Sequence, residues 1–186
     1  MPRSLIRLCL MIVLLATVSG GSSLAFAQET EPGAPMVNVT NPVVGDTVSY
    51  VSESGSEIAR LTVTDVVLNW TEFSEYYVPT PGFQYVAIVV DITGYGSRGS
   101  TIIRSDDFRL QDVDGFFYTR SWADAAENST LIPAESEIGV APGATVSLVL
   151  VYEVLTGVEL SHLFWQPDYE RLLTLANLDG YIPGSE

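Results

Sequence analysis

The sequence predicts an all-β fold, a two-sheet sandwich or a barrel, and three observations carry that expectation. Short runs rich in Val, Ile, Tyr and Phe are separated by clusters of Gly, Pro, Asp and Ser. No long segment keeps a helical period. The runs recur about eight times, at the spacing usual for sandwiches and barrels.

In chain order the expected strands begin with Asp46–Val51, which follows Gly45, and Glu57–Leu68, reached through the turn-rich "SESGS". Phe83–Thr93 starts after a Pro-Gly pair and runs unbroken through "VAIVVDIT". Thr101–Asp112 reads as one strand, followed by Phe116–Arg120 as its hairpin partner. In Thr145–Val154 one face carries Val146, Leu148, Leu150 and Tyr152, and the other carries Val149 and Val151. Such a strand belongs at the centre of a sheet, covered on both sides. His162–Trp165 and Arg171–Leu175 complete the set.

The stretch "LQDVDGFFYT" contains D-x-D-G, the opening of many calcium loops. Twelve residues counted from Asp112 end at Ala123, where an EF-hand needs a bidentate glutamate. A three-residue turn over Val113-Asp114-Gly115, with Gly115 left-handed, explains every residue of the motif. It sets Asp112 opposite Phe116 and Leu110 opposite Tyr118, and it keeps Phe108, Leu110 and Tyr118 on one face. The competing reading is a cation site that borrows Asp112 or Asp114.

The first 27 residues have the layout of a secretory signal peptide: Arg3 and Arg7, an apolar run from Leu8 to Val18, then small residues ending in Ala25-Phe26-Ala27. The run is too short to span a membrane. Cleavage after Ala27 would take 27 of the 186 residues and leave 159, beginning at Gln28. The one cysteine, Cys9, leaves with that segment, so the expected product is secreted, unlipidated and cysteine-free. Residues 28–44, rich in proline, read as a flexible leader, and residues 45–186 as the folded domain.

Losing Arg3 and Arg7 but no acid moves the formal charge from −15 to −17, and the chain contains no lysine. Nucleic acid and anionic lipid are bound largely through Lys and Arg, so neither is an expected partner. A cationic partner is compatible with this charge.

The chemistry of common enzymes is thin. A Ser or Cys nucleophile usually needs a histidine base, and the one histidine is His162, whose neighbour Ser161 would face the opposite side of a regular strand. No cluster of His and Cys is available for zinc or copper, and no phosphate-binding glycine motif occurs. The sequence gives no catalytic residue, metal ligand or cofactor site. Carboxylates are abundant enough for a glycosidase pair to be the rival reading. Asn38, Asn69 and Asn128 lie in Asn-X-Ser/Thr sequences and are read as ordinary polar loop positions.

Two connections stand out. "NWTEFSEYYVPTPG", residues 69–82, interleaves Trp70, Phe73, Tyr76 and Tyr77 with Glu72 and Glu75. These six are the candidate binding residues, because aromatic side chains give large contact area at low entropic cost. The alternative is that part of the set caps the core. The second connection, residues 121–143, contains Trp122, Leu131 and Ile132, and Ser121 has the chemistry to cap a short helix over "WADAAEN". Strand alternation places the first connection at one end with Asp112, Asp114 and Glu159, and the second at the other.

"GDTVSYV" (45–51), "ARLTVTDVV" (59–67), "FQYVAIVVDIT" (83–93), "FRLQDVDGFFY" (108–118) and "APGATVSLVLVYEV" (141–154) occur in this order. In this the chain resembles a bacterial family of secreted immunoglobulin-like modules of unknown function, related to the mycobacterial immunoprotective extracellular antigen. The resemblance covers residues 45–175. It implies an immunoglobulin-like antiparallel β-sandwich of about seven to eight strands, exported to the cell surface or exterior, with no catalytic residues to carry over. Gly94 stands where members often have Asn, a position expected to need an unusual backbone angle. The combined expectation is a non-enzymatic binding or adhesion module that meets a protein or glycan through its acidic, aromatic loop end; the alternatives are a carboxylate-dependent enzyme acting on polysaccharide and a purely structural component of the envelope.

Overall fold

The computed structural model describes residues 37–96, 99–168 and 170–184. The expected signal segment and the first part of the leader lie outside the described residues. No helix among the described residues is long and apolar enough to cross a membrane.

The chain folds as the expected immunoglobulin-like antiparallel sandwich, with ten strands among the described residues where about seven to eight are expected. They are β1 (Thr47–Val51), β2 (Glu57–Val67), β3 (Phe83–Gly94), β4 (Thr101–Arg104), β5 (Phe108–Asp112), β6 (Phe117–Thr119), β7 (Glu137–Val140), β8 (Thr145–Leu155), β9 (Leu160–Trp165) and β10 (Leu173–Asn177). One sheet has the order β1-β2-β3-β8, the facing sheet β10-β9-β5-β6, and β4 pairs with β7 as a separate ribbon. The strand expected over Thr101–Asp112 is broken by a 3-10 turn at Ser105–Asp107, which sends its two halves to different sheets.

Burial follows the alternation of side chains. Val86, Ile88, Val90 and Ile92 of β3 and Leu148, Leu150, Tyr152 and Val154 of β8 meet Phe108, Leu110, Leu163 and Trp165 of the facing sheet. Trp165 lies at the middle of this core, stacked on Phe108 at 5.9 Å and edge-on to Tyr50 at 5.0 Å. A register shift between Val63 and Asp65 in the β2–β3 pairing leaves Thr64 as an extra residue, so Val63 and Val66 both reach this core although three positions apart.

The D-x-D-G motif is a turn with the predicted register. Leu110 pairs with Tyr118 and Gln111 with Phe117, and Gly115 has φ of 85°. Asp112 is buried, and its carboxylate accepts from the Phe116 amide at 2.8 Å and the Tyr118 hydroxyl at 2.9 Å. That carboxylate holds the hairpin together.

Two expectations need correction. Residues 37–44, assigned to a flexible leader, are tied to the sandwich. The Asn38 amide group both accepts from and donates to the Ser49 main chain, and Val43 bridges to Asn177 beside β10. The reason expected for Gly94 is also wrong, because its backbone is ordinary and its surroundings are what require glycine. A Cβ there would lie 2.7 Å from the Ala141 carbonyl oxygen and 2.9 Å from that of Val140. Gly94→Ala is therefore expected to destabilise the protein by about 2 kcal/mol, as overpacking against fixed backbone does. Urea denaturation of the variant checks this.

Candidate functional site

β3 and β8 are apolar on both faces, so the sheet also needs a cover on its outer side. The two long connections supply it. Trp70, Tyr85, Ala87, Ala123, Val149 and Val151 form a second buried cluster, with Phe73, Tyr77, Ala125 and Leu131 packed against it. The rings of Trp70, Phe73 and Tyr85 meet in a triangle with centroids 5.3–6.1 Å apart.

The connections are joined along their main chains. The Ser74 amide donates to the Asp124 carbonyl and the Ala126 amide to the Glu72 carbonyl, each at 2.8 Å, on either side of a bridge between Phe73 and Ala125. The Glu72 carboxylate accepts from the Ser129 hydroxyl and the Thr130 amide. These bonds, the Ser129 hydroxyl foremost, hold its carboxyl below the usual range. Further along, the Ser121 and Ala134 amides donate to Val151 and Val149 on β8.

The second connection therefore does not stand at the opposite end of the sandwich. Residues 121–134 lie across the sheet beside residues 69–77, because Val149 and Val151 would otherwise face water. The segment after Ser121 forms no helix, and the Ser121 hydroxyl accepts from the Glu153 amide instead of capping one. Among the described residues, the other neighbours expected for the first connection meet only its last residue, Gly82. Thr156 donates to Gly82, and Val113 donates to Glu159.

The six candidate binding residues thus separate. Trp70 is core at 2 % exposure, Phe73 and Tyr77 are half-buried against it, and Glu72 is tied to Ser129 and Thr130. Tyr76, 84 % exposed, and Glu75 face solvent.

Sequence reasoning missed the cleft beside them. Tyr77, Arg120, Trp122, Asp124, Ala134 and Glu135 are among the residues lining a space of about 240 Å³. The Arg120 side chain is only 4 % exposed. Its Nε donates to Asp106 at 3.1 Å, its Nη1 donates to the Ala134 carbonyl at 2.8 Å, and its Nη2 is buried without an acceptor. The guanidinium lies 4.2 Å from the centre of the Trp122 ring, which remains 67 % exposed. A hydrogen bond to Asp124, ahead of that carboxylate's repulsion, raises the Tyr77 pKa. The available signal was the pair Arg120 and Trp122 two residues apart, which set a buried cation under an exposed ring.

Among solved structures, the fold matches the secreted protein MPT63 of Mycobacterium tuberculosis with a TM-score of 0.55. Identity is 14%, and the match covers 74% of this chain and 96% of that one. It also matches a candidate lipoprotein, YcdA of Bacillus subtilis, with a TM-score of 0.50 at 20% identity, over 66% of this chain. The chain spans only 37% of that protein's length. The likeness is one of fold. No family model and no curated protein matches the sequence.

The Ser161–His162 pair departs from expectation. Ser161 Oγ and His162 Nδ1 are 2.6 Å apart, not on opposite faces. Gln111 pairs with His162 and Asp112 with Leu160, which leaves Ser161 as a bulge, and a bulge re-aims its side chain. The imidazole stacks on Phe164 at 5.4 Å, and neither residue lines a described cleft.

Proposed function

We propose that this protein is an extracytoplasmic, non-enzymatic binding module of the bacterial envelope or exterior. It contacts a protein or glycan through the acidic, aromatic layer made by residues 69–82 and 121–135. One observation carries the reading: the two connections are hydrogen-bonded to each other and to the sheet, yet leave Tyr76, Val78 and Trp122 at 84, 70 and 67 % exposure. Large apolar side chains held in place at the surface are the usual anchors of a contact. The expected signal segment and the secreted and lipoprotein character of the fold neighbours support the location. The absence of nucleic acid from the expected partners rests on the charge of −15.

The test is binding of the protein to isolated bacterial envelope material. Tyr76→Ala is expected to weaken it by about fivefold or more while the melting temperature stays unchanged, since one exposed anchor is removed from solvent-facing chain. Added salt is expected to slow association more than it speeds dissociation. Unchanged binding in Tyr76→Ala together with Trp122→Ala would remove this layer as the contact surface.

A different observation favours the carboxylate-dependent enzyme. Asp106, Asp107 and Asp168 share a cleft of about 350 Å³. Burial raises the Asp107 carboxyl, while the hydrogen bond from Arg171 lowers that of Asp168. Two carboxyls in one cleft whose pKa values are pushed in opposite directions are the starting point of glycoside hydrolysis. Polysaccharide cleavage that disappears in Asp107→Asn would select that reading.

A further inference from the structure

We infer that the cleft under Trp122 is a seat for a single arginine side chain of a protein partner, which settles the partner class left open above in favour of a basic polypeptide. This rests on the proposed binding role of the layer, and three observations lead to it. The first is size. At about 240 Å³ the cleft falls below the roughly 300–1,000 Å³ of sites that enclose a small-molecule ligand, and it suits one side chain.

The second is the platform. Trp122 is exposed but not loose, because the guanidinium of Arg120 lies against one face of its ring and Asp106 and the Ala134 carbonyl fix Arg120. The ring remains 67 % exposed, which leaves area for a flat cation to stack. The charge that Arg120 turns on such a guest is offset by its ion pair with Asp106. Its side chain is buried, Asp106 sits on its Nε at 3.1 Å, and its unpaired Nη2 is closed off from solvent.

The third is charge. Asp124 and Glu135 are both exposed on the wall of the cleft. Four arginines among the described residues are already paired, to Glu57, Glu137, Asp106 and Asp168, so the surrounding acids are in excess. Indole on one side and carboxylates at the rim match the face and the fork of a guanidinium. An ammonium has neither the plane nor the fork, which is why arginine is preferred to lysine.

The experiment titrates the intact protein with an N-acetylated, C-amidated triarginine peptide and follows tryptophan emission. Trp70 and Trp165 are each 2 % exposed, so the change reports Trp122. Saturable binding is expected for triarginine, with trilysine weaker and tricitrulline, flat but uncharged, undetectable. By calorimetry, Trp122→Ala and the Asp124→Asn, Glu135→Gln pair are each expected to lose about tenfold in affinity, whereas Asp179→Asn, remote in sequence and exposed, changes little. Equal binding of tricitrulline, or full affinity in Trp122→Ala, overturns the arginine seat. Should envelope binding still depend on Tyr76 in that event, the seat fails while the binding layer stands. Triarginine binding without any envelope binding gives the reverse result.

Discussion

Replacing Trp70 with alanine is expected to lower the free energy of unfolding by about 3–5 kcal/mol, the range for deleting a large buried aromatic. Tyr76→Ala, six residues away in the same connection, is expected to change it by less than about 0.5 kcal/mol, as exposed substitutions usually do. The contrast follows from the outer cover. Trp70 is one corner of the triangle with Phe73 and Tyr85, and it packs in one buried cluster with Ala87 on the outer face of β3. Its Nε1 has no acceptor, so the loss is one of packing and not of a hydrogen bond. Urea unfolding of both variants measures the difference. If Trp70→Ala cost less than about 1 kcal/mol, the layer would be an appendage without a core of its own, and Trp70 would return to the candidate contact residues.

The same cover marks the limit of what the sequence reveals. That β8 is apolar on both faces is legible in Val149 and Val151 alternating with Leu148 and Leu150, and it correctly demands cover on both sides. What supplies the cover is not legible, because residues 121–134 attach through main-chain hydrogen bonds and scattered small residues such as Ala123 and Ala125, which have no period. The hairpin at Asp112–Phe116 was readable in full, since turn chemistry and apolar register agree there. The break at Ser105–Asp107 was not, because the strands on either side of it are each strand-like and only the partner sheets differ. β7 escaped notice as four residues containing Gly139, stabilised by pairing with β4 and not by its own propensity. Gly94 and the Ser161 bulge depend on what the neighbouring chain does, and local sequence does not carry that. The candidate site was half legible for the same reason: a run of aromatics predicts a cluster, but which rings turn inward is decided by the sheet beneath.

Alkaline pH is expected to remove stability that neutral pH conceals. The Tyr118 hydroxyl is buried and donates to the Asp112 carboxylate, and burial first, then that hydrogen bond, pushes its pKa up to about 12. Burial raises Tyr152 as well. A tyrosine whose folded pKa exceeds its unfolded value near 10 favours the folded state fully below about pH 10. Above that pH the unfolded chain loses its proton while the folded one keeps it, and the advantage drains away until the folded group ionises too. Each pKa unit corresponds to about 1.4 kcal/mol, so Tyr118 alone is expected to withdraw about 2 kcal/mol between about pH 10 and 11.5. Tyr118→Phe is expected to start lower at neutral pH, because Asp112 loses its buried donor. It should then lose about 2 kcal/mol less than the parent over the alkaline range, so that the two stability curves converge. Urea midpoints at about pH 8 and 11.5 decide it. Parallel curves would mean that the Tyr118 hydroxyl ionises as easily in the folded hairpin as in the unfolded chain, and the Asp112–Tyr118 bond would then hold nothing in place.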